Sequence, residues 1–239
     1  MDQLKLLFTG EGIYMILRWI HFLAGVTWIG ILYYVNFLQT PFFATADGAV
    51  KSAMIRGLVP KALWWFRWGA MFTFLTGLVI LMGKAHGAAK VPWESAYMTL
   101  IVSGAVLGTT MWANVWFVIW PAQKVVIASA EQVASGGQAI ADAAARGARA
   151  GMASRTNVVL SFPMLFFMGA ASHLPILVGR SSPMLYWVVF GALLALIELN
   201  ALAKPGKPSQ KMLTTVPGAI HAGLLVTVVM VVLLCLLTA

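Results

Sequence analysis

Cysteine is almost absent from this 239-residue chain; Cys235 stands alone, inside an apolar run near the end. One thiol cannot make an intrachain disulfide, a thiolate zinc site or an iron–sulfur cluster. A c-type haem, which needs Cys-x-x-Cys-His, is excluded with them. Charge is scarce too. Only 10% of residues are charged against 61% hydrophobic, too little to cover the surface of a soluble domain. Acids are scarcer than bases, and the net charge is +9. The bases sit mainly between apolar blocks, not in a patch interleaved with aromatics, which excludes a nucleic-acid partner. Four histidines are too few for a haem–copper oxidase centre. Glu-x-x-His pairs, phosphate loops and inverted repeats are missing, which argues against a di-iron site, a nucleotide enzyme and a transporter.

What remains is apolar sequence in blocks of about 20 residues, the length that crosses a bilayer. The composition predicts an all-α polytopic membrane bundle of about six transmembrane helices, a single domain over residues 1–239. The segments run from about Gly12 to Leu38, Ala62 to Gly83, Tyr97 to Trp120, Asn157 to Gly179, Met184 to Leu202 and Thr215 to Ala239. The first is too long for a signal peptide and contains Arg18.

Loop charge predicts the orientation. The loops after the first, third and fifth segments carry Lys51, Arg56, Lys61, Lys124, Arg146, Arg149, Arg155, Lys204, Lys207 and Lys211. The opposite side carries Lys5, Lys84, Lys90 and Arg180. Ten against four places the first set in the cytoplasm and both termini outside. Residues 39–60 include a small amphipathic stretch expected along the cytoplasmic face. Residues about 122–154 are alanine-rich and predict a cytoplasmic helix broken at Gly136-Gly137. The short loop Lys204–Lys211 fits a tight turn.

Ionisable groups within a bilayer are costly and usually face the bundle interior. Here they fall in two layers. The outer one holds His21 and His173, whose depths differ by roughly 3 Å at the helical rise. Two imidazoles at one depth can hold a b-type haem from both faces. Arg18, one turn outward, could meet a propionate. Gly25, one turn inward, would let a flat ring approach the backbone, and Trp28 could pack on its edge. The alternative is that each histidine only bonds another helix. The inner layer holds Arg67, Glu198 and His221, with His221 roughly 12 Å deeper than His21. Glu198 is expected to contact His221 or Arg67, as a neutralised cluster, a proton path or a polar substrate site. Trp112, Trp116 and Trp120 share one face of the third segment, with Asn114 between them. His86 falls in an outer loop.

Three stretches together resemble a known family. They are Arg18-Trp-Ile-His21-Phe-Leu-Ala-Gly25-Val-Thr-Trp28, Asn114-Val-Trp116-Phe-Val-Ile-Trp120-Pro121, and Ser154-Arg155-Thr-Asn157 continuing through Pro163-Met164 to His173. The chain is similar, over nearly its whole length, to the membrane domain of the bacterial urate oxidases (urate hydroxylases) that use cytochrome c as acceptor. The first stretch also resembles bacterial membrane protoporphyrinogen oxidases and copper-resistance proteins. The resemblance implies a haem b at His21, an inner-membrane location and an oxidoreductase passing electrons from urate, a similar heterocycle or a quinol to a periplasmic cytochrome c. Best-known members continue into a cytochrome c domain; this sequence ends at Ala239 without Cys-x-x-Cys-His, so a separate acceptor is expected. Asn114 and Asn157 are candidate substrate contacts. The competing expectation is a non-enzymatic accessory or scaffold subunit of a larger membrane complex. Oligomerisation is left open.

Overall fold

The computed structural model describes residues 2–87, 90–174, 183–204 and 206–238. Among these there is no strand. Seven helices carry the architecture: α1 Gly10–Thr45, α2 Gly48–Gly57, α3 Val59–His86, α4 Ala96–Ala134, α5 Ala143–His173, α6 Pro183–Leu202 and α7 Val216–Thr238. Backbone polar groups have no water to bond in hydrocarbon, so helices satisfy them internally. Five of the described helices are long and apolar enough to cross a membrane: Gly10–Thr45, Val59–His86, Ala96–Ala134, Met184–Leu202 and Val216–Thr238.

The remaining membrane segment expected from the sequence is α5. It is helical to His173; the expected stretch to Gly179 passes beyond the described residues. Its first half is rich in alanine and carries Arg146, Arg149 and Arg155, which lowers its hydropathy. Instead it lies at the centre of the bundle. Every residue from 153 to 161 is buried, and α5 packs against both halves of α4 and against α6, α7 and the end of α1. The outward faces of its neighbours are apolar, as with Phe22 and Val26 on α1, Leu196 on α6 and Leu236 on α7. Such a surface suits lipid.

Both ends of the chain's first and third membrane segments run longer than expected. Thr9 caps α1 by accepting from the Gly12 N–H, and Ser95 caps α4 by accepting from Met98. Each helix then widens into one π segment, Tyr34–Gln39 in α1 and Asn114–Ile119 in α4. Pro41 and Pro121 follow after one residue each, Thr40 and Trp120. Proline has no N–H to give and crowds the preceding turn, and a wider turn relieves this without ending the helix. So α1 continues to Thr45, and α2 forms the amphipathic stretch between it and α3. The expected cytoplasmic helix over 122–154 is not a separate element. Its first half extends α4 to Ala134, and its second half begins α5. The break falls at Gly136, whose φ of 87° is a left-handed conformation that glycine adopts freely.

α1 leans chiefly on α3. The two backbones come close at Gly69, where an added Cβ would lie 3.1 Å from Trp28 N and 3.2 Å from Ala24 O. Small residues at such crossings let helices approach where lipid offers no hydrophobic drive.

Candidate functional site

His21 sits on the α1 face that meets α3. Its Nδ1 is 3.1 Å from Thr76 Oγ1. The Thr76 hydroxyl donates its one proton to the Phe72 carbonyl at 2.6 Å, so it receives a proton from His21 rather than giving one. That assigns the Nδ1–H tautomer and leaves the lone pair on Nε2. Gly77 makes room for the ring: an added Cβ there would stand 3.0 Å from His21 Cε1. A hydrogen bond at one ring nitrogen orients an imidazole whose other nitrogen binds a metal.

His173 closes α5 and is exposed. Its level relative to His21 follows from contacts deeper in the bundle. The Tyr33 hydroxyl donates to Ser161 Oγ at 2.8 Å, and Asn36 Nδ2 to Ser154 Oγ at 2.8 Å, so α1 and α5 run antiparallel. Twelve residues outward from Tyr33 lies His21, and twelve outward from Ser161 lies His173. Arg18 is exposed one turn beyond His21. Gly25 faces α3, where an added Cβ would lie 3.9 Å from the Thr73 side chain, and Trp28, 2% exposed, fills the core below. The two histidines thus share a level by residue count, with His21 turned onto α3 and His173 exposed at the end of α5; imidazole nitrogens are the donor type a b-type haem takes. Among the described residues no group of three or more His, Cys, Asp or Glu could hold a non-haem metal.

A second polar layer lies deeper. Asn114 Nδ2 donates to Asn157 Oδ1 at 2.9 Å and to the Glu198 carboxylate at 3.0 and 3.2 Å. Asn157 Nδ2 donates to the Met111 carbonyl at 3.0 Å, beside the start of the π segment. This layer ties α4, α5 and α6 together. The two asparagines, candidate substrate contacts by sequence, have their amide protons engaged with one another's network.

The expected Arg67–Glu198–His221 cluster does not form. Glu198 bonds Asn114 instead. Arg67 lies with its guanidinium carbon 4.0 Å from the Trp120 ring centre, 5.7 Å from Trp116 and 5.9 Å from Trp68. Cation–π attraction and the apolar stem settle the arginine there. His221 is exposed on α7. Depth estimates place residues along a helix but not around it, and the three side chains leave their helices in different directions. Trp112 stacks on Phe74 at 4.3 Å. His86 packs edge-on against Trp93.

Sequence reasoning missed several polar ties. Asn36 donates to the Leu32 carbonyl at 2.8 Å as well as to Ser154, and Tyr186 donates to Ser103 at 2.7 Å. Asn36 carried a signal, an amide within an apolar run; the serines and tyrosines did not. Arg155, expected in a cytoplasmic loop, is a buried residue of α5 at 8% exposure.

Fold and polar layers together define a polytopic helical membrane protein with an ordered interior. The family model of the urate oxidase N-terminal domain matches residues 89–233, and the chain belongs to that family. No curated protein and no solved structure matches it.

Proposed function

We propose that this protein is the membrane module of a urate-oxidase-type oxidoreductase of the bacterial inner membrane. It takes electrons from urate, a similar heterocycle or a quinol and passes them to a periplasmic cytochrome c. The observation that supports it best, beside the family, is the Thr76-held His21 with Nε2 free. His21 and His173 would hold a b-type haem, which supplies a one-electron carrier between a reductant and a cytochrome.

The chain's own residues do the rest. Thr76 keeps the His21 proton on Nδ1. Gly77 seats the ring against α3. Arg18 offers a cation at the aqueous edge for a propionate, since a carboxylate in lipid is costly. The Asn114–Asn157–Glu198 layer holds the helices in register beneath. The basic end, with Lys51, Arg56 and Lys124, faces the cytoplasm, so both termini and the His21 level face outward.

The test is anaerobic addition of urate to the purified protein. The expected result is a reduced α band that oxidised cytochrome c then bleaches. A haem that urate leaves oxidised removes urate as the reductant. A colourless protein leaves the accessory-subunit reading.

A further inference from the structure

The deepest unexplained feature is a cavity of about 670 Å³ at the basic end of the bundle. It lies between the last turns of α1, α2, the start of α3 and the small-residue face of α5. Gly147 and Gly151 of α5 line it and leave the space a side chain would fill. Its walls are mostly apolar, including Leu32, Phe43, Ile55 and Phe66. No His, Cys, Asp or Glu is among its lining residues, so it offers a metal ion nothing.

Asn36, Thr40, Gln123 and Ser154 are among the polar side chains of the lining, but Gln39 and Arg155, each 8% exposed, stand apart from them. Gln39 Oε1 and Arg155 Nη1 are buried with no hydrogen-bond partner. Leaving a buried acceptor and a guanidinium N–H unpaired is strongly unfavourable. One ligand can satisfy both, if it carries negative charge on one edge and an N–H on another. Lys51, exposed at the mouth, adds attraction for an anion. A phosphate fits poorly, because its concentrated charge wants several donors and most of this wall is hydrocarbon. A delocalised organic anion fits better.

We infer that this cavity binds a small heterocyclic anion of the urate class, with the Arg155 guanidinium on its charged oxygen edge and Gln39 accepting from a ring N–H. The site rests on the cavity and its two unpaired groups; the choice of urate as its probe rests on the proposed function. Asn36, at the cavity wall, lies fifteen residues inward of His21 on α1, about 22 Å along the axis. Binding here therefore needs no haem.

The experiment is equilibrium dialysis of radiolabelled urate against the full chain in nanodiscs. Saturable binding to one site per chain is expected. Arg155→Gln should weaken it by about tenfold or more, the scale of a lost charge-assisted bond. Gln39→Leu should weaken it less. Gly151→Leu, where an added Cβ meets nothing within 4 Å, should fill the space and abolish binding with both polar groups intact. Inorganic phosphate at the same concentration should not displace urate. Gel filtration reports folding; if Arg155→Gln fails to elute as wild type does, Gln39→Leu and Gly151→Leu decide. Absence of saturable binding, wild-type binding by Gly151→Leu, or displacement by phosphate overturns the inference. A colourless protein that binds urate sinks the haem reading alone, and a haem protein that binds none sinks this site alone.

Discussion

At the scale of single residues, the proposed haem site depends on where one proton sits. Thr76 fixes it on His21 Nδ1 because the threonine's own proton goes to Phe72. Thr76→Val removes the acceptor and keeps the shape. We expect haem affinity to fall by about 10- to 100-fold, the usual effect of losing such a partner, while Thr76→Ser retains it; haem titration of the apoprotein measures both. Asn114→Leu should destabilise the fold by about 1–3 kcal/mol, because Glu198 and Asn157 Oδ1 lose their donor in a dry interior. Thermal unfolding in detergent checks this, and equal melting of variant and wild type contradicts the layer's role. Sequence alone marks His21, Asn114 and Glu198, since polar groups in apolar runs usually turn inward, although His221 does not. It does not mark Thr76, Ser154 or Ser161, which look like ordinary helix residues until α3 and α5 are placed beside α1.

At the scale of elements, two helices solve one problem in the same way. Each meets a proline, at 41 and 121, through a preceding π segment, and each segment contains an asparagine that bonds α5. The apolar segments read from the sequence stop near Leu38 and Trp120, and the π turns carry both helices past the prolines that follow. The α1–α3 crossing is set by Gly69. Gly69→Leu forces atoms into the Trp28 backbone, which cannot move aside as a side chain can, and should lower the melting temperature sharply. Gly169→Ala, at a position where a Cβ meets nothing within 4 Å, should melt as wild type. Similar loss in both variants would contradict the close crossing.

At the scale of the whole molecule, composition and loop charge carry the membrane bundle almost unaided. Among the described helices hydropathy fails for α5, whose stretch 153–161 is enclosed by protein rather than lipid and so can carry small and polar residues. The cavity wall is invisible in sequence for the same reason: Gly147, Gly151 and Arg155 look like a loop. The proposed orientation puts this cavity on the cytoplasmic side. A reporter fused after Ala239 should be active only in the form that works in the periplasm; cytoplasmic activity there would reverse the placement. A haem held at the His21 level is measured by pyridine haemochrome assay of purified wild type, His21→Ala and His173→Ala. About one b-type haem per chain is expected in wild type, with loss or marked depletion in both variants. Full haem content in His21→Ala, or its loss only in His221→Ala, would contradict it.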